Sequence, residues 1–267
     1  MTMTAFADRY GPAALVTGAS SGIGEGFAEE LASRGLDLVL AARRTDRLDQ
    51  LAARLRGEHG VAVTVLASDL AQADAPARLL ADTAGHDIGL VVSNAGFGLK
   101  GPHEANDPAA MTAMLMVNCN APMQLAHGFT PRLKARGRGG LLLTASVEGL
   151  IGCPYSGAYA ASKALVVSLG EALWGELQGE GIDVLTLCPG PTESEAAARQ
   201  GLDMSANPHL LPAREVAARA LDALGQERAS GPTFVSHPFY AEMFEGLRAL
   251  PRRDALTRMA AGMKPKG

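Results

Sequence analysis

Seven short apolar runs punctuate the chain, and between them apolar residues return every third or fourth position. The runs are residues 13–17, 36–42, 61–67, 88–93, 141–145, 182–188 and 233–235. Each is rich in Val, Leu, Ile or Ala, and most end in Gly, Ser, Asn or Pro, which reads as a strand buried on both faces. The stretches between them read as helices. One opens at Gly24, carries Phe27 and Leu31 and stops at Gly35; another, about 46–56, is amphipathic on Leu48, Leu51 and Leu55. Further helices are expected at about 75–83, 107–135, 155–177 and 213–224. Alternating strand and helix argues for a parallel sheet, because each crossover returns the chain to the same edge. The expected fold is therefore α/β, a doubly wound parallel sheet of about seven strands with helices on both faces. Residues 191–211 read as a loop, and 238–267 as one or two helices broken at Pro251. No repeat or linker divides the chain, so one domain over 1–267 is expected.

Composition narrows the class. Of 267 residues, 47% are hydrophobic and 19% charged, ordinary values for a globular protein. A net charge of -4 gives no general attraction to nucleic acid or anionic membrane. Three scattered cysteines, Cys119, Cys153 and Cys188, suit neither a disulfide framework nor a zinc site and fit a reducing cytoplasm. The first ten residues lack the basic and apolar regions of a signal peptide, and no run is long enough to span a bilayer. The six histidines share no spacing, so no metal site is expected; His103 is the one that could border a pocket.

Chemistry concentrates in three places. After the first strand, Gly18, Gly22 and Gly24 open a helix, with Ser20 and Ser21 between them. Glycines there permit positive φ and close backbone approach, and the helix N-terminus suits a pyrophosphate. The second strand ends in Arg43-Arg44, where a carboxylate would bind a ribose 2′-hydroxyl. Guanidinium groups instead suit a 2′-phosphate, so NADP(H) is expected over NAD(H), with Arg43 the main contact. Third, Ser146 follows the fifth apolar run, and Tyr159 and Lys163 are one helical turn apart. A hydroxyl, a phenol and an ammonium so placed can move a proton onto or off an oxygen.

Together these motifs resemble the short-chain dehydrogenase/reductase family, in its compact branch of ~250 residues. Thr17-Gly18-Ala19-Ser20-Ser21-Gly22-Ile23-Gly24 matches its cofactor motif. Asp69-Leu70 matches the acid that contacts adenine, and Asn94-Ala95-Gly96 the motif beside the cofactor. Asn118, Ser146, Tyr159 and Lys163 match the catalytic tetrad, and Pro189-Gly190 with Thr192 the segment at the nicotinamide end. Alone, Asp69 reads equally as a helix cap and Asn94 as a turn residue. The resemblance covers about residues 10–195 firmly. It implies a Rossmann-type fold and hydride transfer between nicotinamide and a carbonyl or alcohol carbon. It further implies that Tyr159 is the acid/base, its pKa lowered by the Lys163 ammonium together with the oxidised cofactor. Ser146 would hold the substrate oxygen, Lys163 the nicotinamide ribose, and Asn118 a water leading to solvent.

Val147, Cys153, Tyr155 and the apolar Leu202, Met204, Leu210 and Leu211 are expected around the substrate, which favours an apolar ketone, aldehyde or secondary alcohol. Glu193 and Glu195 read as solvated. The tail, with Phe239, Phe244, Leu247, Leu250, Leu256 and Met259, is expected to pack on its own domain or a sister subunit rather than a membrane. The resemblance suggests a homotetramer or homodimer joined through the two long helices. Competing readings are an NAD(H)-dependent alcohol, sugar or hydroxy-acid dehydrogenase, a sugar-nucleotide epimerase or dehydratase, and a non-catalytic nucleotide sensor on the same fold.

Overall fold

The computed structural model describes residues 3–195, 204, 206–226 and 230–263. In chain order its larger elements are α1 (Met3–Tyr10), β1 (Ala13–Thr17), α2 (Gly22–Ser33), β2 (Asp37–Ala42), α3 (Thr45–His59), β3 (Val63–Ala67), α4 (Ala75–Asp82), β4 (Ile88–Ser93), α5 (Pro108–Leu115), α6 (Ala121–Arg136), β5 (Gly139–Thr144), α7 (Gly157–Glu176), β6 (Ile182–Cys188), α8 (Ala213–Ala223), β7 (Thr233–Val235), α9 (Pro238–Ala249) and α10 (Arg252–Met263). The strands form a seven-stranded sheet in the order β3-β2-β1-β4-β5-β6-β7, and every pairing is parallel.

Such a sheet must be covered on both sides, and its side chains alternate accordingly. Ala14, Val16, Leu38, Leu40, Leu90, Val92 and Leu142 join Phe6, Phe27, Leu31, Leu48, Leu55 and Val216 in one core layer. That layer is supplied by α1, α2, α3 and α8. Leu15, Val39, Ala41, Val91, Leu141 and Val184 point the other way, into Leu79, Leu125, Phe129 and Leu133 of α4 and α6. Strand order reverses between β1 and β4. A crevice opens there at the strand C-termini, where a doubly wound sheet places its ligand.

The structure moves several expected boundaries. Residues 3–10 form a helix, because Phe6 and Tyr10 bury completely under the sheet. β5 starts at Gly139, not 141; Gly139 and Gly140 pair with Ile182 and Asp183 through backbone alone and leave no apolar signal. The expected helix over 107–135 is interrupted by a π turn, Met116–Asn120, between α5 and α6. α7 starts at Gly157 rather than 155, because Tyr155 has φ 59, outside the right-handed helical region. The Tyr155 carbonyl instead accepts from Gly101 N at 2.8 Å.

The tail breaks at Pro251 as expected. Tyr240, Phe244 and Ala255 bury against Val147, Ile151 and Cys153, with Leu247, Leu250, Leu256 and Met259 packed around them. The tail thus packs on its own chain. No helix among the described residues is long and apolar enough to cross a membrane.

Candidate active site

A cleft of about 320 Å³ occupies the crevice at the strand C-termini. One wall is the glycine turn. Gly18 and Gly22 take φ of 67° and 58°, the left-handed region that side chains disfavour. Ser21 caps α2 without a side-chain hydrogen bond, so the first N–H groups of that helix face the cleft uncapped by a side chain. Gly18, Ser20, Ser21, Gly22 and Ile23 line the cleft; Gly24 lies behind them.

At the far end stand Arg43 and Arg44 from the end of β2, then Asp69 and Leu70 after β3. Arg43 is exposed, and its guanidinium has no partner among the described residues. Arg44 turns inward, donating to Ser21 Oγ at 2.7 Å, Ser20 Oγ at 3.2 Å and Glu195 Oε2 at 2.8 Å. Asp69 also accepts from Ala71 N at 3.3 Å, so the local turn role and the place in the cleft coexist. Asn94, Ala95 and Gly96 form the floor. Asn94 Nδ2 donates to Thr17 O at 3.1 Å, while Asn94 N and Ala95 N donate to Thr17 Oγ1 at 3.0 and 3.1 Å. These bonds lock the β4 end to β1.

The near end holds Tyr159 and Lys163. Ser146, extended at φ −168° just beyond β5, accepts from Glu148 N at 3.2 Å and lies beside Tyr159. Lys163, 4% exposed, donates to Thr144 O at 2.8 Å. Its pKa is pushed down to about 8 by burial, against weaker upward pulls from Cys119 and Cys188. Burial drives the Tyr159 phenol well above its usual value; Glu148 adds to this, and the neighbouring Ser146 hydroxyl opposes it. The expected lowering combines Lys163 with the charge of the oxidised cofactor; among the protein's own groups, desolvation is the largest influence. Asn118 is buried in the π turn. Its Nδ2 donates to Phe97 O at 2.9 Å and Ser162 Oγ at 3.0 Å, and its Oδ1 accepts from Phe97 N at 3.1 Å. It therefore clamps the loop after Gly96 to α7. π turns recur at functional sites because they re-aim one side chain without ending the helix.

Not every expected residue gathers here. Pro189 lines the cleft, but Gly190 sits under the Tyr240 ring and Thr192 donates to Gly190 O at 3.0 Å. Val147 and Cys153 are buried against the tail, and Leu211 belongs to the main core. His103 is exposed and outside the cleft. Leu202 lies outside the described residues. Glu195, expected to be solvated, pairs with both Arg44 and Arg47. The Arg47 hydrogen bond and then the Arg44 one push its carboxyl down to about 2. A second missed group is Lys100, which donates to Glu148 at 2.6 Å and Ser156 Oγ at 2.9 Å, with its ammonium 5.6 Å from the Tyr159 ring centre. Neither set leaves a trace in periodicity, since each joins segments distant in sequence.

The cleft thus fits a dinucleotide: an uncapped helix N-terminus at its middle, cations at one end, and a phenol and ammonium at the other. The chain belongs to the short-chain dehydrogenase family, whose model matches residues 12–205. A 7beta-hydroxysteroid dehydrogenase of Clostridium sardiniense is 34% identical over 187 residues, 70% of this chain and 72% of that one. A very-long-chain 3-oxoacyl-CoA reductase of Danio rerio is 32% identical over 185 residues, 68% of this chain but only 58% of the longer reductase. Among solved structures, a short-chain dehydrogenase from Sphingobium yanoikuyae in complex with NADPH superposes with a TM-score of 0.81, at 32% identity and 96% coverage of each chain. The protein is an oxidoreductase of this family.

Proposed function

We propose that the protein is an NADP(H)-dependent reductase of apolar ketones, in one domain, with Tyr159 as general acid in reduction and general base in oxidation. The observation that carries this is the Tyr159–Ser146–Lys163 group at one end of a cleft whose other end carries Arg43 and Arg44. Arg43 and Arg44 would hold a 2′-phosphate, the α2 N-terminus with Gly18 to Ile23 the pyrophosphate, and Asp69 and Leu70 the adenine. Lys163 would hold the nicotinamide ribose, with Pro189, Gly190 and Thr192 near the ring. Bound nicotinamide supplies or accepts the hydride.

The residues then divide the remaining work. Ser146 Oγ and Tyr159 Oη hold the substrate oxygen in place. Tyr159 donates its proton to that oxygen as it gains charge; its raised pKa keeps the phenol protonated near neutrality, which suits reduction. Lys163 stands behind the phenol to stabilise the phenolate formed, and Asn118, through Phe97, holds the loop that floors the site. A water beside Asn118 would return the proton from solvent. The apolar substrate reading rests on the names of the hydroxysteroid and 3-oxoacyl-CoA relatives.

Tyr159→Phe tests the assignment. It removes one oxygen and should lower kcat by roughly 10²–10⁴-fold for ketone reduction with NADPH while leaving NADPH affinity within twofold. Turnover retained in that variant refutes the role. In the unmodified enzyme, kcat/KM with NADPH should exceed that with NADH across a panel of apolar ketones.

A further inference from the structure

The phosphate-selecting corner already contains an anion. Glu195 Oε2 accepts from Arg44 Nη1 at 2.8 Å, and Glu195 Oε1 from Arg47 Nη1. Arg44 precedes α3 and Arg47 lies in its first turn, so the two guanidiniums rise side by side from the start of that helix. The rest of the Arg44 fork is committed to the glycine turn, where Nε donates to Ser20 Oγ at 3.3 Å and Nη2 to Ser21 Oγ at 2.7 Å. The open edge of Arg44 is therefore the edge that Glu195 takes, and Glu195 itself lines the cleft.

We infer that Glu195 is a cofactor-specificity residue: its carboxylate holds Arg44 and Arg47 in the place that a ribose 2′-phosphate would take, and the phosphate must displace it to bind. This deepens the NADP(H) reading and rests on it for the identity of the anion. The competition is winnable in one direction. Glu195, Arg44 and Arg47 are 38%, 31% and 45% exposed. Pairs so open to water hold by a factor of about five or less in an equilibrium constant. A phosphate monoester brings ≈ −1.5 to −2 charges and three strong acceptor oxygens, and guanidinium forks bind it bidentately. It also gains Arg43, which Glu195 does not use. NADP(H) therefore binds, but more weakly than the three arginines alone would allow. NAD(H), which has no 2′-phosphate, leaves the pairs intact and feels little of Glu195.

The test is isothermal titration of the full chain with 2′,5′-ADP and with 5′-AMP, backed by NADPH and NADH, on the unmodified protein, Glu195→Gln and Glu195→Asp. Glu195→Gln should bind 2′,5′-ADP and NADPH three- to tenfold tighter, with 5′-AMP and NADH within twofold. Glu195→Asp keeps the charge and should show at most half that gain. No gain for 2′,5′-ADP in Glu195→Gln overturns the inference, as does an equal gain for 5′-AMP. Loss of NADH binding in Glu195→Gln also overturns it, since Glu195 would then be a ribose-hydroxyl ligand. The two readings fail separately. An unmodified protein that favours NADH, with a variant shifted toward NADPH, sinks the NADP(H) preference and keeps this inference; the reverse pattern sinks this inference alone.

Discussion

Replacing Lys163 with methionine should make the protein more stable while it stops turning over. The ammonium is 4% exposed and donates to Thr144 O. Burial lowers its pKa from 10.5 to about 8. A lysine depressed on folding costs stability, in full below about pH 8. Between about 8 and 10.5 the cost fades, because the unfolded chain there still holds the proton that the folded one has lost. At 1.36 kcal/mol per unit, the shift corresponds to about 3 kcal/mol near neutrality. Methionine keeps most of the stem but leaves Thr144 O without its donor, a loss of about 1–2 kcal/mol. The net expectation is a gain of about 1–2 kcal/mol at pH 7. For 267 residues at ~2.1 cal/mol/K each, Tm should rise by about 2–4 °C. Scanning calorimetry from about pH 6 to 10 on both proteins reads this directly. The gain should shrink above pH 8 and reverse near 10, where less than about 1 kcal/mol of the cost remains and the lost hydrogen bond outweighs it. The Cys188 thiol, raised to about 12 by burial, titrates nearby with the opposite sign. Only the difference between the two proteins therefore isolates Lys163. Two curves that coincide at every pH, or a gain that grows toward pH 10, would refute the reasoning. Catalysis should fall at least about a hundredfold, because the phenolate loses its cation.

Two further outcomes are expected. Asp183, 1% exposed near the start of β6, accepts from Arg9 Nη2 at 2.5 Å and Tyr10 Oη at 2.7 Å, far from the cleft. Asp183→Asn breaks that pair and should lower stability by about 3 kcal/mol, the low end for a buried pair because Arg9 is partly exposed, and Tm by ~5 °C, with kcat unchanged; an unaltered melting curve counts against it. We also expect a homodimer or homotetramer joined through α5–α6 and α7. Leu115 and Met123 on that surface are 46% and 39% exposed, more than an isolated helix face of large apolar residues favours. Light scattering should give a multiple of 27.6 kDa, and Leu115→Glu with Met123→Glu should lower it; a monomer at about 100 μM would dispose of the idea.

Periodicity alone locates all seven strands, and the limits of β1, β4, β6 and β7 match residue for residue. It does so because a strand buried on both faces has a dense local signal. Elements that owe their form to distant partners are less legible. α1 has only Phe6 and Tyr10 to declare it, and it is fixed by Asp183, 173 residues from Tyr10. The glycines that open β5 carry no hydrophobic mark. Within the site, residue types single out Tyr159, Lys163 and Ser146 as candidates, and the fold brings them together. What the sequence hides is charge pairing across folds of the chain, as in Arg44 with Glu195 or Lys100 with Glu148. It also hides desolvation, the largest influence among the protein's own groups on Tyr159. No local pattern encodes how deeply a phenol is buried.

The two tail helices have a consequence for how this protein can change. The family match ends at residue 205, so α9 and α10 stand outside the part of the chain that defines the chemistry. Yet Tyr240 lies on Gly190, and Phe244 and Ala255 rest on the segment between Ser146 and Tyr159. The cleft and the layer that backs the segment from Ser146 to Tyr159 are thus carried by separate stretches of gene. A recombination or point change in the last thirty or so codons would alter what backs that segment without touching the residues that line the cleft.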